Sequence, residues 1–237
     1  MITIIGTGHV FNLAEPVAFI VHHTWPDAVL IELDVKRYNY LMRVQSGEEF
    51  PKDGKASPIY RQNSKYQQKV SKQYGNKVGG EFLAAIQMGK LEGADIIPID
   101  TEAEETLKQI WEEMSVSEKA RYRLSGIRDS LIGSRSAETA QKRFAADEDA
   151  YMESMRRRYP TLVRKLIDER NVHMADQINK ASEKYSNMVV VVGDGHVEGI
   201  CSMLKDPMVR KIRLEDLMDH DRLNEVRKMV YNGDTER

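Results

Sequence analysis

One cysteine, Cys201, stands in a chain of 237 residues. No internal disulfide framework can form, and the chain suits a reducing compartment. Long apolar runs are also missing, since no stretch approaches the roughly 18 consecutive apolar residues that a transmembrane helix needs. The chain enters an apolar, β-branched segment at Ile2 without a basic leader, so no secretory signal is expected. Charge of one sign is lacking too. Lys and Arg number 35 against 37 Asp and Glu, a formal net charge of −2, and this gives no global pull toward nucleic acid or anionic lipid. There is no fixed-period repeat. These absences point to a soluble cytoplasmic protein, and a hydrophobic content of 41% over this length is enough to bury one large core.

Among what is present, two short motifs stand out. Gly6-Thr7-Gly8-His9 follows the apolar run Ile2–Ile5, and Gly193-Asp194-Gly195-His196 follows Met188–Val192. Each is a β-branched run, a glycine turn and a histidine, with a helix-like segment after it. The expectation is that both histidines reach one site.

The segments between them read as alternating strands and helices. Asn12 is the expected N-cap of a first helix, with Glu15 three residues on and Pro16 in the first turn. Leu13, Val17, Ile20, Val21 and Thr24 keep helical spacing until Trp25-Pro26-Asp27 ends it. Residues 28–34 form the next strand, apolar on both faces as in a covered parallel sheet. This β-α-β opening implies a right-handed crossover. From Pro51 to Gly80 the charges are Lys52, Lys55, Arg61, Lys65, Lys69, Lys72 and Lys77 against Asp53, read as a solvated excursion or as a lid or patch for an acidic partner. A helix from Gly79-Gly80, with a small-residue face, leads to a strand over 94–100, and Thr101 with Glu104 suggests a second capping box. Residues from about 101 to 158 are helix-prone and read as an insertion. A long helix from Pro160 to Lys184 follows, with Val163, Leu166, Ile167, Met174, Ile178 and Ala181 on its apolar face. Arg170 falls inside that stripe, where it needs an anionic partner because an unpaired buried charge is very costly. Residues 209–214 suggest a last strand before a charged helix. The fold class is therefore α/β, a mixed, mainly parallel sheet flanked by helices, in one domain of residues 1–237 with a helical insertion.

In an open α/β sheet, functional groups gather beyond the carboxyl ends of the strands. His9, Glu32 with Asp34, Asp100 and His196 leave those ends, and Glu81 sits in the first turn of a helix. Two histidines and a carboxylate are a common ligand set for a divalent metal ion (Mn, Co or Zn), with positions left for water. His9 and His196 would bind the ion, Glu32 or Glu81 would complete the set, and the other glutamate would act on water. Arg170 would orient substrate or hold a carboxylate. Plainer readings stand beside these. A histidine after a glycine turn can be an ordinary loop residue, Glu32 can be an ion-pair partner of Arg37 or Arg170, Glu81 can be favoured by the helix dipole, and Asp100 can be structural. A nucleotide site is the weaker alternative, because position 11 is Phe and position 198 is Glu, so neither G-x-G completes a dinucleotide-binding loop.

Six segments, GTGHV at 6–10, PDAVLIELDVKR at 26–37, GGEFLAAI at 79–86, GADIIPID at 93–100, ERNVHMADQI at 169–178 and VVVVGDGHVEGI at 189–200, together resemble the TraB family of pheromone-shutdown proteins, related to the TIKI and GumN groups. The resemblance implies a fold akin to the erythromycin-esterase and ChaN-like groups. The TIKI relatives are regarded as metal-dependent proteases that use two G-x-x-H histidines and glutamates. His9 and His196 match that pair, Glu32 and Arg37 match the ELD-x-x-R motif, Glu81 the GEF glutamate, and Arg170 the arginine of the E-R-D/N helix. Two departures matter. Asp100-Thr101 stands where many members read aspartate-arginine, and the membrane helices that follow in many members are not expected here. The functional expectation is a metal-dependent hydrolase acting on peptides, or else a non-catalytic module that sequesters them. No nucleic acid partner is expected, and a homodimer is compatible with the sequence.

Overall fold

The β-branched runs form the strands. Met188–Gly193 (β4) is the central strand of a five-stranded sheet, between Ile2–Thr7 (β1) and Ala28–Ile31 (β2). Asp95–Pro98 (β3) and Val209–Ile212 (β5) are the edges, giving the order β3-β2-β4-β1-β5. The computed structural model describes residues 1–8, 11–46, 80–124 and 148–235. His9, the basic 52–77 segment and part of the expected helical insertion lie outside the described residues. Within them every strand pair is parallel, an α/β architecture. Met188 to Val192 are at most 1% exposed, as expected of a strand covered on both sides.

The chain falls into two compact units, one of Met1–Glu48, Gly79–Thr101 and Arg170–Arg237, the other of Glu49–Val78 and Glu102–Glu169. The first holds the sheet. On one of its faces Val17, Ile20 and Val21 of helix α1 (Ala14–Thr24) join Phe82, Ala85 and Ile86 of a helix at Gly80–Leu91. They pack on Ile5, Val29, Val189 and Val191. The other face takes Met174 and Ile178 of the helix Glu169–Ala181 and Ile200 of the helix Val197–Cys201, against Ile4, Leu30 and Val190. Each such side chain contributes about 1.5–3 kcal/mol on burial, so the strand ends are held from both sides. The expected small-residue face is used at Gly89, where an added Cβ would lie 2.7 Å from Val29 Cγ2 and 2.9 Å from Ile96 Cδ1.

Among the described residues the helices in chain order are α1, α2 (Val35–Ser46), α3 (Gly80–Leu91), α4 (Ala103–Glu113), α5 (Val116–Leu124), α6 (Glu148–Arg158), α7 (Pro160–Val163), α8 (Glu169–Ala181), α9 (Val197–Cys201), α10 (Leu214–Met218) and α11 (His220–Thr235). The second unit centres on Ile110, Met114, Tyr159 and Leu162. Its helix starts are tied together by Glu118, which is 3% exposed. Glu118 accepts the Ser115 N–H at 3.1 Å while Ser115 Oγ accepts the Glu118 N–H at 3.2 Å, a reciprocal capping box for α5. The same carboxylate takes the Thr161 N–H and hydroxyl, both at 2.9 Å, and so caps α7 as well.

Three local expectations are corrected. Asn12 does not cap α1, because its N-cap is Leu13 with no side-chain bond and the preceding turn closes from Phe11 N–H to Gly8 O at 3.1 Å. Thr101 does not cap α4. That helix starts after Glu102 without a side-chain cap, and the Thr101 N–H is drawn instead to Asp100 at 2.8 Å. The long helix from Pro160 is interrupted by a π-helical segment, Arg164–Asp168. An extra residue per turn rephases the helix, so the single expected stripe becomes two. Leu166 serves the core of the second unit, while Met174 and Ile178 serve the sheet.

Candidate functional site

The two glycine-histidine motifs leave adjacent strands. The parallel register sets Gly6 beside Val192 and Thr7 beside Gly193, so both motifs depart from the same sheet edge. His9 itself lies outside the described residues. The glycines at these strand ends are not there for left-handed backbone, since Gly193 has φ −60°. They allow close approach. A Cβ on Gly6 would run into the Asp194 carboxylate, and one on Gly193 would lie 3.3 Å from Glu32 Oε2.

Glu32 ends β2 with its N–H still bonded to Val191 O at 3.0 Å, and its side chain turns toward the end of β4. There Oε2 accepts the Gly193 N–H at 2.5 Å. Oε1 pairs with Arg170 Nη2 and lies 3.5 Å from His196 Nε2. Helices pack on one face after β2 and on the other after β4, so this junction is a switch point, where open α/β sheets place their ligands.

Arg170 reaches the same edge because α8 runs back to the start of β4, which leaves its first turn at the strand ends. Its Nε donates to Asp100 Oδ1 at 2.8 Å and its Nη2 to Asp100 Oδ2 at 2.8 Å as well as to Glu32. The anionic partner that Arg170 requires is thus a pair of carboxylates. Burial works against its charge, but the Glu32 and Asp100 carboxylates outweigh it and hold the guanidinium pKa above its ordinary value. Arg37 closes the chain of ion pairs. It bonds Asp100 Oδ2 through Nη2 and Asp34 Oδ2 through Nε at 2.7 Å, while its N–H donates to Asp34 Oδ1 at 2.8 Å. Asp34 therefore caps α2, a helix with no buried residue to announce it. Outside this network, Asp194 takes Arg213 in a fork at 2.9 Å on each arm and the Leu214 N–H at 2.8 Å, which pins the turn after β4.

Four of the residues expected from the sequence, Glu32, Arg37, Arg170 and His196, thus belong to one connected network. Glu81, 3% exposed, lies in the first turn of α3. That helix returns to the start of β3, which brings Glu81 to the same sheet edge. Asp100, read as structural, is the residue on which both arginines converge; Asp34, named at a strand end but given no role, joins it, as does Asn171, which sequence reasoning did not single out. Asn171 Oδ1 is 2.6 Å from His196 Nδ1. Its helical spacing from Met174 and Ile178 marks a polar residue on the buried face of α8, but nothing in the sequence names its partner.

Among the described residues the carboxylates of Glu32, Asp34 and Asp100 are joined by the guanidiniums of Arg37 and Arg170 in a network where the Asp100 side chain is 2% exposed and the Glu32 side chain 7%. With the Asn171 amide oxygen as partner, a neutral His196 that donates to it from Nδ1 would leave the Nε2 lone pair on the Glu32 side. Two donors about 2.1 Å from one tetrahedral divalent ion are roughly 3.4 Å apart, close to the 3.5 Å between His196 Nε2 and Glu32 Oε1. This pair fits a metal ion. Among the described residues no cluster of three or more His, Cys, Asp or Glu side chains is placed to hold one alone, and the third expected donor, His9, is outside them.

The TraB/PrgY/gumN family model matches residues 1–215. The chain belongs to this family. The uncharacterized protein MJ1365 of Methanocaldococcus jannaschii is 27% identical over 211 residues, which cover 86% of this chain and 53% of that protein. The chain thus spans about half the length of that relative. No described helix is long and apolar enough to cross a membrane.

Proposed function

We propose that this TraB-family chain is a metal-dependent hydrolase acting on peptides. The observation that carries the proposal is the buried His196–Glu32 pair at a strand switch point, at the separation of two ligands on one ion. His196, Glu32 and His9 would hold Mn²⁺, Co²⁺ or Zn²⁺, which when bound supplies a water of lowered pKa and polarises the scissile carbonyl. The chain's own residues do the rest. Gly193 N–H and Arg170 fix the Glu32 carboxylate, and Asp100 and Arg37 brace Arg170. Of the two roles open to Arg170, its contacts favour holding a carboxylate over binding substrate. Glu81, buried at a helix N-terminus, would take the proton from the attacking water.

A second reading, a non-catalytic module that sequesters a peptide, draws on one observation. Both Glu32 oxygens already accept strong donors, Arg170 and the Gly193 N–H, as suits an anchor more than a ligand. Incubation with a peptide library and each metal, followed by mass spectrometry, separates the two. Cleavage that needs metal and is lost in His9→Ala and in His196→Ala supports the hydrolase. Absence of cleavage, or cleavage that survives both substitutions, overturns it, and intact peptide recovered from the protein without metal supports sequestration.

A further inference from the structure

Both proposed ligands are gripped by consecutive residues of one helix turn. Arg170 holds Glu32, and Asn171, the next residue of α8, meets His196 at 2.6 Å between Oδ1 and Nδ1. Asn171 and His196 are each 5% exposed. On α9, one turn beyond His196, Gly199 makes room for the amide, because a Cβ there would collide with Asn171 Nδ2 and lie 3.0 Å from Cγ. A glycine inside a helix costs about 1 kcal/mol relative to alanine, so the space it leaves has a use. The turn that carries Arg170 and Asn171 comes directly after the π-helical segment Arg164–Asp168. Such segments cluster at functional sites because they re-aim the residues that follow.

We propose that Asn171 is a positioning residue for His196. Its amide oxygen keeps the proton on Nδ1, sets the ring plane, and so turns Nε2 toward Glu32, while Gly199 preserves the space the amide occupies. This rests on the reading of His196 as a metal ligand, where a partner on the far ring nitrogen fixes the tautomer and raises ligand basicity. A merely space-filling asparagine would leave the tautomer to chance.

The test reads the tautomer directly, on metal-free protein labelled with ¹⁵N-histidine, from long-range proton–nitrogen correlations of the imidazole. Wild type is expected to show His196 protonated at Nδ1. Asn171→Leu keeps the volume but removes the acceptor, and shifts the population toward Nε2–H. Asn171→Asp restores the acceptor and the Nδ1–H form. Gly199→Ala, which displaces the amide without deleting it, gives the same shift as Asn171→Leu and covers the case in which Asn171→Leu does not fold. Zn²⁺ affinity then falls about 10–100-fold in Asn171→Leu and is largely regained in Asn171→Asp. An unchanged Nδ1–H signal in both Asn171→Leu and Gly199→Ala overturns the proposal, as does an Asn171→Asp spectrum no closer to wild type than that of Asn171→Leu. If wild type binds no Zn²⁺, the metal reading fails while the tautomer result still decides the role of Asn171.

Discussion

Replacing Arg170 with Met keeps a long apolar stem and removes the guanidinium from between Glu32 and Asp100. The hydrogen bond to Glu32 goes, as do two to Asp100 at 2.8 Å. Asp100 keeps Arg37 and the Thr101 N–H, and Glu32 keeps the Gly193 N–H. Removing one partner of a buried pair generally costs about 3–5 kcal/mol. The surviving donors put Arg170→Met at the lower end, about 3 kcal/mol. With a urea slope near 3 kcal/mol per molar, the midpoint falls by about 1 M. The chain has 2 tryptophans: Trp25 lies in the unit that holds the site and Trp111 in the other. Trp25 fluorescence in a Trp111→Phe background therefore follows the relevant unit. The sign with pH is fixed by the raised Arg170 pKa. A base whose pKa is raised on folding contributes fully below its unfolded value and loses that contribution only as pH rises through the higher folded one. The difference between wild type and Arg170→Met is therefore flat from pH 8 to 10. Arg170→Lys keeps the charge but loses the fork and falls between the two. A loss in Arg170→Met below about 1 kcal/mol, or a difference that closes by pH 10, would refute the reasoning.

Three further predictions concern the scaffold. Glu118→Ala leaves the Thr161 N–H and hydroxyl without their acceptor and destabilises the second unit by about 3 kcal/mol, read by Trp111 fluorescence. Burial works against the Glu118 charge, but hydrogen bonds from Thr161 and Ser115 outweigh it and hold its pKa below 4.5. Its stabilisation is therefore present above that value and lost as pH falls through the folded one, so Glu118→Gln flattens acid unfolding below about pH 4.5. Gly89→Ala gains helix propensity yet forces a methyl against Val29 and Ile96; a net loss of about 1–2 kcal/mol is expected in urea melts, and a stabilised variant would contradict the close packing.

Much of the scaffold was legible because its signals are local. The runs Ile2–Ile5 and Met188–Val192 are β-branched and bounded by glycines, and they form β1 and β4. Arg170 announced its need for a carboxylate by sitting among apolar residues, and Glu32 lay at a strand end within its choice of partners. What stayed hidden depended on tertiary geometry. Asp100 looked like part of a helix start because Thr101 and Glu104 mimic a capping box, yet its carboxylate is claimed by two arginines that arrive from distant parts of the chain. Helix α2 buries no residue fully; Tyr38, Leu41 and Met42 pack on the core at helical spacing but stay partly exposed, a short periodic signal that needed Asp34 as its cap beside it. The π-helical segment breaks the fixed 100° step on which the Pro160 helix was read, and Asn171 acquires meaning only once His196 is brought to it by a strand that follows later in the chain.

The central claim is that the two glycine-histidine motifs build one metal site. Its most direct test is the metal content of the purified protein, equilibrated with Mn²⁺, Co²⁺ or Zn²⁺ and freed of excess ion, with wild type measured against the His9→Ala/His196→Ala double variant. The account predicts about one ion per chain in wild type and almost none in the variant, with circular dichroism unchanged. Equal metal content in the two proteins would contradict it.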